Sequence, residues 1–213
     1  MRWGIVAGVA AGVLAAAVTA YSLARRHLPP PAVEPAPAPA APAVIAVGQP
    51  FPWSRLPVHN LNNQPAALTR GRRLTVVEAM ASWCRYCGWE DRYALPRIAR
   101  LPGVAVDLVD ISPHGGIADP GPEYPPFSGQ DGSGPPEDVA AMAATMRAYR
   151  ARYALPPAIH AYVALPVTQQ QWVLSELPTL VLIGPHGRVR KVIQGALVTP
   201  RLEQAVTGVM PPS

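Results

Sequence analysis

The chain is 213 residues long, 49% hydrophobic and 15% charged, which is enough material for one core of ordinary domain size. Its formal net charge is +5, but Arg2, Arg25, Arg26 and Glu34 precede residue 44, so beyond that point 15 basic residues face 12 acidic ones. So mild a balance excludes an electrostatic nucleic-acid binder.

Trp3 to Ala24 is an uncharged run of 22 residues, and at 1.5 Å per residue a helix of that length covers ~33 Å, the span of a bilayer core. It is read as membrane-directing. Ser22-Leu23-Ala24 offers a cleavage site, but the run exceeds the ~7 to 15 apolar residues of a signal peptide, so a retained anchor over residues 1–28 is the favoured expectation. Arg2 and the terminal amine flank one end and Arg25 and Arg26 the other, so charge alone does not orient it. Pro29 to Pro50 holds eight prolines interleaved with alanine. Such a segment prefers extended polyproline II, and as a linker over residues 29–46 it reaches up to ~55 Å at ~3.1 Å per residue. Residues 47–213 are the expected globular domain.

Within that domain, short apolar pieces from Gly48 to Leu68, broken by Pro57 and Asn62-Asn63-Gln64, predict an N-terminal hairpin. Leu74 to Met80 reads as a buried central strand. Glu78 interrupts it, either as a buried proton acceptor or as a surface residue pointing away from the core. Next comes Trp83-Cys84-Arg85-Tyr86-Cys87, with the two cysteines of the sequence at a strand-to-helix junction. At a helix start, unpaired N–H groups and the dipole stabilise a thiolate, and Arg85 is expected to add a neighbouring cation, which makes Cys84 the low-pKa nucleophile. Cys87, one turn on, lies on the same helix face, placed to attack a mixed disulfide formed at Cys84.

A structural disulfide and a zinc site are the competing readings of this pair. The first closes a loop too short to remove much chain entropy, and the second lacks the other ligands it needs. Haem attachment is excluded because Gly88, not His, follows Cys87.

The helix after the cysteines is predicted over Gly88 to Arg100, with a kink or early end at Pro96. Gly103 to Ile111 is a second strand carrying Asp107 and Asp110. Ser112 to Pro136, rich in Gly and Pro, is a long irregular loop; the expectation is that Tyr124 and Phe127 pack it onto its own domain, with partner choice as the competing role. Glu137 to Tyr153 is the clearest helix, with Met142, Met146 and Tyr149 as core contacts. Leu177-Pro178-Thr179 then leads into a hairpin that turns at Gly184-Pro185-His186-Gly187 and runs to Ile193.

Trp-Cys-x-x-Cys, an acid six residues earlier, and x-Pro-Thr before an antiparallel hairpin together resemble the thioredoxin superfamily. The finer resemblance, over about residues 47 to 209, is to the TlpA-like, DsbE-like membrane-tethered bacterial thioredoxins. It implies a three-layer α/β thioredoxin fold, a mixed sheet flanked by helices, with an added N-terminal hairpin. Carried over, Cys84 is the nucleophile, Cys87 the resolving thiol, Glu78 the buried acid and Pro178 a cis-proline beside the site. Trp83, Arg85, Tyr86, Leu177 and Thr179, which flank these positions, are the expected substrate contacts. Two departures stand out: the helix proline falls nine residues after Cys87, and the dipeptide is Arg-Tyr where thioredoxin has Gly-Pro.

The resemblance implies a thiol-disulfide oxidoreductase in the periplasm of a bacterial inner membrane, anchored by residues 3–24 and needing no metal or cofactor beyond its cysteine pair. Its partners are thiol- or disulfide-bearing envelope proteins and a membrane electron donor or acceptor. A reductase, as in cytochrome c maturation, is the first expectation. An oxidase or isomerase for secreted or conjugation-system proteins is the second, and a non-catalytic binding module the third.

Overall fold

The computed structural model describes residues 45–172 and 174–211. The expected anchor, and the linker up to residue 44, lie outside them. Among the described residues no helix is long and apolar enough to cross a membrane.

A short 3-10 turn at Trp53–Arg55 leads into the predicted hairpin, β1 (Val58–Asn60) and β2 (Pro65–Ala66). Then follow β3 (Leu74–Met80), α1 (Arg85–Tyr93), α2 (Leu95–Ile98), β4 (Val104–Asp110), α3 (Val139–Arg152), β5 (Ile159–Ala164), α4 (Pro166–Gln171), β6 (Thr179–Ile183), β7 (Val189–Gln194) and α5 (Thr199–Thr207). The seven strands form one mixed sheet in the order β2-β1-β5-β4-β3-β6-β7. β3, β4 and β5 run parallel, while β1 and β6 pair antiparallel on either side of them.

Strand alternation divides the interior into two cores. On β3, Leu74, Val76 and Met80 join a core that includes Met142, Met146, Tyr149 and both cysteines, while Val77 and Ala79 face Phe51, Tyr162 and Trp172 on the other side. Fully buried side chains such as Leu108, Met146 and Leu182 each contribute about 1.5–3 kcal/mol through removal from water. The even parity of Glu78 sends it to the face that carries the cysteines. That removes the alternative of a surface carboxylate, since Glu78 is fully buried.

The helix expected over residues 88–100 starts three residues earlier and is two pieces. α1 begins at Arg85 because Cys84 is extended, and α1 stops at Tyr93. Pro96 has no N–H to continue the ladder and its ring crowds the carbonyl four residues back, so α2 restarts with Pro96 in its first turn. α3 opens on Asp138, whose carboxylate accepts the Ala141 N–H at 2.8 Å, so Glu137 and Asp138 precede the helix rather than fill its first turn. β5, α4 and α5 have no counterpart in the sequence reading.

Candidate active site

The end of β3 delivers Ala81 to Cys84 to the start of α1. Cys84 caps that helix with its own sulfur: Sγ accepts the Cys87 N–H at 3.3 Å. Both residues are thiols in this structure; Cys84 keeps 5% exposure and Cys87 none. Their environments push them apart. The Cys87 thiol beside it, and the N–H groups of Cys87 and Tyr86, lower Cys84 against the opposing effect of burial. Burial first, then the Cys84 sulfur and Glu78, raise Cys87 well above an ordinary thiol. Such a pair can form a thiolate at one sulfur while the other keeps its proton.

Beneath the sulfurs lies a group of carboxyls. Glu78 on β3 and Glu90 and Asp91 on α1 are fully buried. Glu90 Oε1 accepts the Leu197 N–H at 3.0 Å, and Asp91 Oδ2 accepts the Tyr149 hydroxyl. Glu78 finds no donor outside this group, and the Asp91 carboxyl is the side chain it interacts with. Burial pushes all three up: Glu78 well above the carboxylate range, with Asp91 and Glu90 adding to the effect, Glu90 to about 8 and Asp91 to about 7. Glu90 and Asp91 were missed in the sequence, although their spacing of three and four residues from the inward-facing Cys87 sets them on its helix face. Tyr149→Phe is expected to leave Asp91 short of its donor and to destabilise the domain by about 1–3 kcal/mol, read from urea unfolding.

β6 begins at the sheet end from which the cysteine segment leaves β3. Register pairs Ala79 with Thr179, so Pro178 stands at the level of Met80. The Leu177–Pro178 bond is cis, and the Pro178 carbonyl accepts the Gly195 N–H at 2.8 Å. Leu177 packs half-buried against the same core as the cysteines. Thr179 is different from expectation: it is fully buried and its hydroxyl donates to the Glu176 carbonyl at 2.7 Å, so its side chain is no substrate contact.

Trp83 is held from within, its indole N–H donating to Ser112 Oγ at 2.8 Å. Arg85, expected as a cation for Cys84, instead donates to the Gly129 carbonyl at 3.2 Å and the Tyr86 hydroxyl at 3.0 Å and stacks over the Tyr86 ring. Tyr86 is exposed.

The 112–136 loop forms the remaining wall. Ala118 N–H donates to the Ser82 carbonyl at 3.1 Å, Gly132 N–H to the Trp83 carbonyl at 2.9 Å, and Arg85 N–H to Asp131 Oδ1 at 2.9 Å. Farther out, Trp89 and Tyr93 donate to the carbonyls of Pro122 and Gly121, and Arg97 pairs with Glu123 at 2.8 Å. The crossing of its two arms needs Gly116, which has φ +101° and where a Cβ would sit 1.9 Å from the Gly132 carbonyl oxygen. Tyr124 and Phe127, expected to pack inward, are 68% and 60% exposed, although Phe127 sets its ring edge-to-face against Trp89 at 6.3 Å between centroids. Between the loop and α1 lies a groove of about 270 Å³ lined by Arg85, Tyr86, Trp89, Phe127, Leu197 and Val198.

No family model and no curated protein matches the chain. Solved structures do. A peroxiredoxin-like protein from Aquifex aeolicus is similar at 12% identity and a TM-score of 0.52, covering 79% of this chain and 90% of that one. A putative electron transfer protein from Aquifex aeolicus VF5 is similar at 11% identity and 0.51, covering 76% and 96%. A putative thiol:disulfide interchange protein DsbE from Chlorobium tepidum is similar at 15% identity and 0.50, covering 78% and 99%. Together with the sheet order and the helical layers, these likenesses make this a thioredoxin fold.

Proposed function

We propose that the chain is a thiol-disulfide oxidoreductase of the TlpA-like, DsbE-like kind, reducing disulfides of envelope proteins through Cys84 and Cys87. The observation that carries the reading is the placement of the two thiols, Cys84 capping a helix start with its sulfur on the Cys87 N–H and Cys87 fully buried over carboxyls. The Cys84 thiolate attacks a client disulfide, forming a mixed disulfide and releasing one client thiol. Cys87 then gives up its proton, attacks Cys84 Sγ and releases the second client thiol. Two electrons pass to the client and the protein is left with a Cys84–Cys87 disulfide, which an external dithiol resets. Leu177, Pro178, Trp83 and Tyr86 border the approach to Cys84. The same proposal tethers the domain to a bacterial inner membrane through residues 3–24 and sets it in the periplasm, the compartment that the resemblance and not the flanking charge suggests, with cytochrome c maturation as the process served.

One observation favours the opposite direction. A lowered Cys84 stabilises the dithiol form, and that is the property of an oxidase or isomerase.

Insulin reduction by the full chain in dithiothreitol tests the proposal. Cys84→Ser is expected to fall to the uncatalysed rate, while Cys87→Ser accumulates mixed disulfides with its substrate. Activity that survives Cys84→Ser removes Cys84 as the attacking sulfur and overturns the mechanism, and a parent chain no faster than dithiothreitol alone leaves a binding module.

A further inference from the structure

The 112–136 loop is tied to the residues on both sides of Cys84, and one of those ties carries a charge. Arg85 N–H is the first free amide of α1, and Asp131 Oδ1 occupies it at 2.9 Å. The next amides, of Tyr86 and Cys87, serve the Cys84 sulfur. A carboxylate in that position takes one donor away from the helix start and sets a negative charge beside the place where a thiolate forms.

We propose that Asp131 is a positioning residue for the exchange reaction: it holds back thiolate formation at Cys84 and so biases the cysteine pair toward giving electrons away. The inference rests on the reductase reading above and limits, without reversing, the one observation that runs against it. The titratable groups that face Cys84 are Cys87 and Glu90 from α1, Glu78 from β3 and Asp131 from the loop, while the Arg85 guanidinium turns to Gly129. The first three are buried, and Asp131 alone among them is exposed. Because the thiolate belongs to the dithiol form, disfavouring it raises that form in free energy. Transfer of two electrons to a client disulfide, with closure of Cys84–Cys87, becomes correspondingly easier.

Two variants of the full chain test this. Asp131→Asn keeps an acceptor for the Arg85 N–H and removes the charge; Asp131→Ala removes both. The pH profile of Cys84 alkylation by iodoacetamide and the equilibrium with glutathione are measured for each. Asp131→Asn is expected to lower the alkylation midpoint by about half a pH unit, an effect that shrinks in 1 M salt. Its equilibrium is expected to move toward the dithiol by up to about threefold, a potential higher by up to about 15 mV. If Asp131→Asn matches the parent in both readings while Cys84 still alkylates first and insulin is still reduced, the role of Asp131 is overturned and the reductase reading stands. A shift in Asp131→Ala alone also overturns it, because the hydrogen bond and not the charge is then at work. Insulin reduction that persists without Cys84 overturns the reductase reading itself.

Discussion

Glu78→Gln is expected to slow the resolving attack of Cys87 by about 100-fold at neutral pH, the scale of a lost general base, while the first attack by Cys84 changes little. The step needs the base because burial holds the Cys87 proton in place, and a thiol that keeps its proton is not a nucleophile. Glu78 is the suitable acceptor: it lies on the strand face beneath the cysteines, is fully buried, and its carboxyl meets the Asp91 carboxyl rather than a cation that would hold it ionised. Its own pKa is raised by burial and then by Asp91 and Glu90, which brings it toward that of the thiol it would deprotonate. The glutamine has nearly the same shape, so the domain keeps its fold. Stopped-flow decay of a mixed disulfide between Cys84 and nitrothiobenzoate, followed from pH 6 to 9, reads the step directly. A decay rate equal to that of the parent at every pH removes Glu78 from the proton path.

Stability is expected to fall as pH rises from about 4 to about 7, the reverse of the trend in a domain held by salt-bridged carboxylates. Asp107 and Asp110 are each pushed to about 7 by burial, the first opposed by the Thr69 N–H at 2.7 Å and the second by the Ser112 N–H at 3.0 Å. The unfolded chain loses those protons near pH 4, while the folded chain keeps them. Between the two values the folded state therefore binds more protons, and each group removes up to about 1.4 kcal/mol of stability per pH unit. Glu90, raised to about 8, extends the decline by about one unit beyond the aspartates. Urea midpoints at pH 5, 6, 7 and 8 measure the slope. Asp110→Asn keeps the acceptor for Ser112 and should flatten the slope by one proton's worth; a midpoint that climbs with pH contradicts the account.

The sequence made β3, β4, α3 and the β6–β7 hairpin legible because each has a single clear period and a turn signal at its ends. The cysteine pair and Pro178 stood out by spacing. β5 was hidden because it follows Pro156-Pro157 and carries His160 in its interior, so nothing local separates it from a loop; its place comes from pairing with β4 and β1. α4 has too few apolar residues to show a helical stripe. The buried acids failed for a different reason. Asp107, Asp110, Glu90 and Asp91 look like surface residues, and burial was imposed on them by elements distant in the chain, such as α3 bringing Tyr149 to Asp91. Tyr124 misled in the other direction, since it stands exposed, whereas Phe127 does set part of its ring against Trp89 of α1.

The way the 112–136 loop is attached has a consequence for how the molecule can change. Two of the contacts between the loop and the cysteine segment, at Ser82 and Trp83, are main chain to main chain, and the others are made by the Asp131 carboxylate, by the Arg85 guanidinium on the Gly129 carbonyl and by the Trp83 indole on Ser112. The tip at Tyr124 and Phe127 touches neither sulfur-bearing residue through any of them. The tip can therefore be rewritten without retuning the chemistry, provided Ser112, Gly116, Asp131 and the backbone path remain, and other tip sequences can be grafted between the same anchor points.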